Sequence, residues 1–212
     1  MLKKISFVLL LTFLLIGCSA TPSQEYVLGD TLLSENFTAP EAWETFVGET
    51  VDLQVVDGAY RVKTEDEGYI WGLNEQNHSD VVIEVEASQL STHENNAYGV
   101  MCRADTSNNG DGYYFLVSGD GYYSIGKGSG DDVLPLVEWT QNSAVNKGQA
   151  SNTIRAVCIG NYLAMYVNDT FLAEVNDSDF GNGYAGLAAT AFEGGDTDIS
   201  FDNLTITAAS LP

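Results

Sequence analysis

Positive charge is scarce in this chain. Its 212 residues include eight Lys and Arg against 30 Asp and Glu, so the formal net charge is −22 at pH 7. A surface of this kind repels nucleic acid and anionic lipid headgroups, which proteins bind mainly through Lys and Arg. Nucleic acid is therefore excluded as a partner. Divalent cations and neutral glycans remain, and solubility alone is a sufficient reason for the acidic surface.

Helical periodicity and recognisable metal motifs are also missing. No stretch between Ser23 and Pro212 sustains a 3.6-residue apolar period, so helices should be short or absent. The two histidines, His78 and His93, lie among Asn, Ser and Glu with no third nitrogen or sulfur ligand at a zinc-type spacing. The polar run from Asp105 to Asp111 lacks the length and closing Glu of an EF-hand.

The one long apolar run is at the N-terminus. Lys3 and Lys4 precede a core from Ile5 to Ile16 that is too short to span a bilayer, so residues 1–17 are predicted to be a secretion signal. The core ends in LIGC at Cys18, which resembles the lipobox of bacterial lipoproteins, whose Cys is acylated and becomes the mature N-terminus. An ordinary cleaved signal that leaves an unmodified Cys is the alternative.

The lipobox resemblance implies a cellular location. We expect an extracytoplasmic protein that contacts the membrane only through lipid on Cys18, with residues 18–25 as a short polar tether. Cleavage would also remove two of the eight basic residues, which brings the net charge to about −24.

Cys102 and Cys158 then remain as an even pair in an oxidising compartment. Each lies in an apolar run typical of sheet interior, VMCRA and IRAVCIG. We predict a disulfide between neighbouring strands, and two buried free thiols are the alternative. No His is near either Cys in the sequence, so a catalytic Cys is not expected.

Residues 26–209 are predicted to be one all-β domain. The pattern is clearest from Ala97 to Lys127, where three apolar and aromatic runs are separated by turns rich in Gly, Asp and Asn, as in an antiparallel meander. Alternation along a strand places Tyr113 and Tyr114 on opposite faces. The stretch from Asp80 to Gln89 alternates in the same way. Many short strands with regular turns are typical of a sandwich or barrel.

Between Asp80 and Thr207, a series of motifs follows in a recognisable order: YGVMCRAD, NNGDGYYFLVSGDGYYSIGK, LVEWT, GNYLAMYVND, FGNGYAGLAATAF and ISFDNLTI. Their order and spacing resemble the concanavalin A-like lectin and glucanase jelly rolls, of the laminin-G-like and keto-disaccharide-hydrolase-like kind. The resemblance implies two antiparallel sheets packed face to face. It also implies a glycan as the ligand class.

The fold does not determine the chemistry. Laminarinase-like members carry E-x-D-x-x-E on one strand, because a retaining mechanism needs a nucleophile and an acid close together. No such string occurs here, and the nearest acids, Glu84 and Glu86 on a strand and Glu65 to Glu67 in a loop, have solvent exposure as the simpler explanation. No catalytic residue is therefore assigned. A glycoside hydrolase whose carboxylates come from separate strands remains the alternative.

A carbohydrate-binding surface module is the function expected from the sequence, with a structural or adhesive protein as a third class. Sugar sites combine a flat apolar surface with a few polar groups. The candidates are Trp71 and Trp139 as stacking platforms, with Arg103, Asp105, Tyr114 and Lys127 as further contacts. A salt bridge is the alternative role for Arg103, and a plug at the end of the sandwich is the alternative for Trp139.

Calcium is the one cofactor that the resemblance implies. Related jelly rolls often hold a structural calcium ion where the first and last strands meet. The matching residues are Glu35 or Asn36 in SENF and Asp202 in FDN, with backbone carbonyls completing the ligand set.

Overall fold

The computed structural model describes residues 20–38, 43–130 and 132–212. The predicted signal segment 1–17 and Cys18 lie outside the described residues. The described part contains no helix, and hence none that could cross a membrane. The all-β expectation is confirmed.

Fifteen strands are described: β1 (Val27–Glu35), β2 (Phe46–Val47), β3 (Val51–Val56), β4 (Ala59–Thr64), β5 (Ile70–His78), β6 (Val81–Gln89), β7 (Asn96–Ala104), β8 (Gly112–Val117), β9 (Tyr122–Ser129), β10 (Asp132–Gln141), β11 (Ser151–Ile159), β12 (Tyr162–Val167), β13 (Thr170–Asn176), β14 (Gly183–Ala191) and β15 (Thr197–Ser210). They form two sheets. The nine-stranded sheet has the order β13-β12-β11-β6-β15-β4-β3-β2, with β1 also paired to β15. The six-stranded sheet has the order β10-β9-β8-β7-β14-β5.

The main core lies between the two sheets. It takes alternate residues from each strand, for example Val81, Ile83, Val85 and Ala87 from β6 and Tyr113, Phe115 and Val117 from β8. These side chains are almost completely buried, and each large one contributes roughly 1.5–3 kcal/mol to folding. The face assignments expected from alternation in β6 and β8 are confirmed.

The predicted meander is confirmed as β7, β8 and β9, which are neighbours in the six-stranded sheet. The next strand, β10, is not predicted by the sequence pattern, because it contains Pro135. Proline cannot donate a ladder hydrogen bond and is therefore confined to edge strands. β10 is such an edge, since it pairs only with β9.

The two cysteines form the predicted disulfide, with their Cα atoms 6.8 Å apart. We expected the disulfide to join neighbouring strands. The two strands instead belong to different sheets. Cys102 is on β7 of the six-stranded sheet and Cys158 on β11 of the nine-stranded sheet. The bond therefore crosses the core and ties the two layers together.

Arg103, the residue after Cys102, reinforces the same connection. Its side chain is buried, and its Nε donates to the Ser79 carbonyl at 2.9 Å. Nη1 donates to the carbonyls of Gly160 at 2.7 Å and Phe180 at 3.0 Å, and Nη2 reaches Asp80 Oδ1 at 3.2 Å. One guanidinium thus holds three loops at one end of the sandwich.

The segment before β1 was expected to be a polar tether, and its described part lies against the domain. The Ser23 backbone N–H donates to Glu174 Oε2 on β13 at 2.9 Å. The Tyr26 ring packs edge-on against Tyr166 on β12, with the ring centroids 6.4 Å apart. The chain therefore enters the fold along the outer side of the nine-stranded sheet.

Removing the disulfide should destabilise the protein by about 4 kcal/mol, because the bond closes a loop of 56 residues in the unfolded chain. We expect the Cys102→Ala/Cys158→Ala variant to unfold at lower denaturant concentration, as measured by tryptophan fluorescence. The parent protein in reductant should shift in the same direction. Equal midpoints for oxidised and reduced parent protein would contradict a disulfide across the core.

Replacing Arg103 by Met should cost on the order of 3 kcal/mol, since loop carbonyls and Asp80 lose their donor. Arg103→Lys keeps the charge but not the planar fork, and should recover less than half of the loss. Lys63→Met is the control, because Lys63 makes only an exposed ion pair, with Glu65, and should change stability by less than about 0.5 kcal/mol. Similar losses for Arg103→Met and Lys63→Met in urea unfolding would show that the guanidinium does not hold the loops.

Candidate functional site

The outer side of the six-stranded sheet carries a second apolar cluster. Its buried members come from alternate positions of the strands and include Leu73, Ala97, Met101, Ala104, Tyr114, Leu116 and Ala188. Partly buried aromatic side chains cover them: Tyr69, Trp71, Trp139, Tyr184 and Phe192. We call these five residues the aromatic face. In a strand with one solvated face, the residues on that face are usually polar. The outer side of this sheet is apolar, which is unusual for a surface.

The rings of the aromatic face are held by contacts with one another. Tyr69 packs against Tyr114 with centroids 5.7 Å apart, and against Phe192 at 6.4 Å. Phe192 in turn packs against Trp139 at 6.4 Å. All three pairs are edge-to-face, the arrangement that the ring quadrupoles favour. The ring positions are therefore fixed before any ligand arrives.

A pocket of about 300 Å³ opens beside Trp139 and Phe192. Its other lining residues come from the start of β7 and from the turn between β8 and β9: Asn95, Asn96, Ser118, Asp120 and Tyr122. The pocket thus combines aromatic rings with amide, hydroxyl and carboxylate groups. That composition matches a site for a small polar molecule with an apolar face.

Most polar groups of the pocket are used to hold its own walls. Asn96 Oδ1 accepts the Gly119 N–H at 2.9 Å, and Asn96 Nδ2 donates to Gln89 Oε1 at 3.1 Å. The Ser118 hydroxyl donates to the Glu94 carbonyl at 3.1 Å. These bonds fix the turn from Ser118 to Gly121 against the start of β7.

Asp120 is the exception. Its Oδ1 is buried without a hydrogen-bond partner among the described residues. A carboxylate oxygen in this condition costs free energy unless something donates to it. Asp120 is therefore a pocket group with unused capacity to accept a hydrogen bond.

A smaller pocket of about 210 Å³ lies towards the other edge of the sheet, beside Tyr69 and Trp71. The Trp71 indole N–H donates to Asn108 Oδ1, and Asn108 Nδ2 lies 3.2 Å from both carboxylate oxygens of Glu44. The remaining lining residues are apolar: Val51, Leu53 and Ile70. This second pocket offers fewer free polar groups than the first.

Three of the residues predicted from the sequence lie at or below the aromatic face. Trp71 and Trp139 belong to it, one on each edge strand of the six-stranded sheet. Tyr114 lies beneath it and is completely buried, with its hydroxyl donating to the Gly110 carbonyl at 2.7 Å. Burial raises the pKa of the Tyr114 phenol above its usual range. Tyr114 supports the rings and has no surface to offer a ligand.

The other three predicted residues lie elsewhere. Arg103 is buried in the loop network described above, so the ion-paired alternative is what the structure shows. Lys127 donates to Asp177 at 2.7 Å and Asp179 at 2.6 Å, and these bonds raise its pKa. Asp105 accepts the Ser107 N–H at 2.6 Å within its own loop. Arg103 and Lys127 therefore do not belong to the candidate site.

The pocket also contains residues that the sequence did not single out. Phe192 and Asn95 lie just outside strands, and Asp120 sits in SGDG, a string that indicates only a tight turn. A carboxylate inside a turn flanked by aromatic strands was the available signal. Which loops close over the sheet cannot be read from such a string.

Three of the acidic residues considered for catalysis and metal binding, Glu84, Glu86 and Asp202, lie on the other sheet from the aromatic face. The loop from Glu65 to Glu67 lies at the end of β14, where the Asp66 and Glu67 carbonyls accept from the Ala191 N–H and the Thr190 hydroxyl. Glu84 pairs with Arg155 at 2.5 Å, and Glu86 accepts from Asn203 Nδ2 at 3.1 Å, both on the nine-stranded sheet. Asp202 lies opposite Glu86, on the outer side of that sheet.

The structure separates Glu35 from Asp202, two of the three residues expected at a calcium site. Glu35 lies opposite Leu204, whose side chain is in the inter-sheet core, whereas Asp202 faces outward. Directly opposed residues share a face, so Glu35 and Asp202 project from opposite sides of the sheet. Asn36, the alternative to Glu35, accepts the Thr38 N–H and the Thr38 hydroxyl through its Oδ1. Calcium at Asn36 and Asp202 stays a prediction. In the described part of the chain, no three His, Cys, Asp or Glu side chains form a metal-binding group.

Comparisons with known proteins place the fold. A profile of the 3-keto-alpha-glucoside-1,2-lyase-like domain matches residues 32–207. No curated protein matches the chain. Among solved structures, the carbohydrate-binding module CBM66 from Bacillus subtilis is similar with a TM-score of 0.63 and 20% identity, over 79% of this chain and 96% of its own.

Two further structures show the same architecture. A protein of unknown function with a galectin-like fold from Bacillus subtilis has a TM-score of 0.64 at 11% identity, over 87% of this chain and 99% of its own. LamA from Z. galactanivorans, in complex with laminaritriose and laminaritetraose, has a TM-score of 0.57 at 12% identity, over 85% and 100%.

These likenesses confirm the jelly-roll sandwich, and at such identities they show the fold alone. The profile match is evidence for the family as well as the fold, because it runs from within β1 to within β15. The chain belongs to the family of 3-keto-alpha-glucoside-1,2-lyase-like domains.

Proposed function

We propose that the protein is a glycan-binding module and that the pocket beside Trp139 and Phe192 is its binding site. The observation that carries the proposal is the meeting of two fixed aromatic rings with the unpartnered carboxylate of Asp120 in one pocket. A pyranose ring presents C–H groups on its faces and hydroxyl donors at its edge. The rings suit the first and the carboxylate suits the second.

The structural neighbours support the same ligand class. CBM66 is by its name a carbohydrate-binding module, and LamA was solved with laminarin-type oligosaccharides. The acidic surface of this chain favours neutral or weakly charged glycans over strongly anionic ones.

A catalytic role is the second candidate, favoured by the lyase-like name of the family. Cleavage by the usual glycosidase mechanisms needs two carboxyl groups across the scissile bond. Asp120 is the only carboxylate among the described residues that line the pocket. The pocket therefore does not support hydrolysis by those mechanisms, whereas binding needs only the rings and polar groups that line it.

We further propose that the module acts outside the cytoplasm, held by lipid on Cys18. The basis is the signal segment that ends in LIGC. Its position ahead of the described residues is consistent with an anchor that leaves the sandwich in solvent.

Trp139→Ala and Phe192→Ala should each lower retention on an immobilised polysaccharide at least tenfold, because each removes a stacking surface. Retention across a panel of polysaccharides, with and without calcium, measures the effect. Tyr166→Ala is the matched control, since Tyr166 is a partly buried aromatic residue on the opposite sheet. It should bind as well as the parent.

Assaying the same wells for released sugar separates the two candidate functions. Retention without release indicates a binding module. Release that is lost in Asp120→Asn would establish an enzyme, and retention that is insensitive to Trp139→Ala and Phe192→Ala would remove the pocket from consideration.

Cys18→Ala should move the protein from the membrane fraction to the soluble fraction of its cells, because an acyl anchor requires the Cys sulfur. Immunoblots of fractionated cells provide the readout, with Cys102→Ala/Cys158→Ala as a cysteine control that should keep the membrane location. Unchanged membrane association of Cys18→Ala would contradict the anchor.

A further inference from the structure

The two pockets beside the aromatic face meet at one contact between rings. The smaller pocket, which we call the Trp71 pocket, is lined by Tyr69 and Trp71. The larger one, the Trp139 pocket, is lined by Phe192 and Trp139. The rings of Tyr69 and Phe192 pack against each other with their centroids 6.4 Å apart. A single pair of touching rings therefore connects the wall of one pocket with the wall of the other.

Trp71 and Trp139 lie on one row of residues across the six-stranded sheet. From the edge strand β5 to β9, the residues that lie opposite one another in turn are Trp71, Ala188, Gly99, Leu116 and Ser124. On β10, the other edge strand, Trp139 lies between the residues opposite Tyr123 and Ile125, and hence beside Ser124. Five strand spacings, about 24 Å, separate the two backbone positions. A ligand that contacts both indole rings is therefore longer than one sugar.

Trp71 is held at both ends of its indole ring. At one end, the indole N–H donates to Asn108 Oδ1, and the Asn108 amide N–H in turn donates to Glu44. At the other end, the ring packs on the backbone of Gly110, where a Cβ would lie 3.0 Å from Trp71 Cη2. The ring is partly exposed as well as fixed. It therefore offers a stacking surface that loses little conformational entropy when a ligand binds.

The two pockets differ in their polar groups. The Trp139 pocket contains the unpartnered Oδ1 of Asp120, together with other amide and hydroxyl side chains. In the Trp71 pocket, the amide of Asn108 is already bonded to Trp71 and Glu44, and most of the other lining residues are apolar. The Trp139 pocket can therefore select a sugar by its hydroxyls, whereas the Trp71 pocket adds ring surface.

We infer that the ligand is an oligosaccharide segment that lies across the strands of the six-stranded sheet and fills both pockets. One sugar packs on Trp139 and Phe192 with its hydroxyls at Asp120, and a later sugar of the same chain packs on Trp71. Between them, the chain crosses the contact between Tyr69 and Phe192. This inference rests on the proposed glycan-binding function and adds Trp71 as the residue that makes affinity depend on the length of the glycan.

The test uses a disaccharide and a hexasaccharide as competitors for retention on the polysaccharide from which both are cut. The first set is laminaribiose and laminarihexaose on laminarin, followed by matched pairs for each other polysaccharide that retains the parent protein. For the parent, the hexasaccharide should halve retention at a concentration at least tenfold lower than the disaccharide, because it reaches both pockets.

Variants identify the pocket that is responsible. Trp71→Ala should weaken competition by the hexasaccharide about tenfold and leave the disaccharide unchanged, since the disaccharide needs only the Trp139 pocket. Trp71→Phe keeps a ring and should recover part of the loss. Trp139→Ala should weaken both competitors. Tyr166→Ala, an aromatic residue on the opposite sheet, is the control and should change neither.

The outcomes separate this inference from the proposed function. If Trp139→Ala lowers retention while Trp71→Ala leaves competition by the hexasaccharide unchanged, the binding site stands and the second pocket is overturned. Equal weakening of both sugars by Trp71→Ala also overturns it, because Trp71 would then support the Trp139 pocket and contact no sugar of its own. If no polysaccharide retains the parent protein, the proposed function fails and the inference fails with it.

Discussion

Two adjacent residues on β7 hold the sandwich together. Cys102 crosses the core to β11 through the disulfide, and Arg103 binds the turn that follows β11 together with two other loops. A φ of +54° at Arg103 turns its side chain away from the alternation of the strand and towards these loops. The covalent bond and the buried guanidinium add fixed links at one place to the hydrophobic packing between the sheets.

The six-stranded sheet is apolar on both sides, so each side has its own structural role. Its inner side completes the core, while its outer side carries the aromatic face. In β8 the division falls between consecutive residues, since Tyr113 faces the core and Tyr114 supports the outer rings. The pocket is therefore built partly on these strands, with Trp139 on β10 and Asn96 on β7, while Phe192, Asn95 and Asp120 come from the adjoining turns. A site of this kind pays little ordering entropy when a ligand binds.

The sequence was sufficient for the architecture because alternation and turn residues are local signals. It predicted the meander, the inward face of β6 and the pairing of Cys102 with Cys158. It did not predict that these cysteines join different sheets, because sheet membership depends on long-range topology. For the same reason Trp71 and Trp139 could be selected by residue type, whereas Asp120 and Phe192 required knowledge of which loops meet. Arg103 takes the ion-paired role that the sequence left open, and its positive φ, which the residue type does not reveal, turns the side chain towards the loops.

The first described residues of the chain pack on one side of the domain. Ser23 and Tyr26 are held on the outer side of the nine-stranded sheet, and the aromatic face lies on the outer side of the other sheet. The described chain therefore begins on one side of the sandwich, and the aromatic face lies on the other. Any ligand bound at the aromatic face would lie on the side of the sandwich away from the start of the described chain.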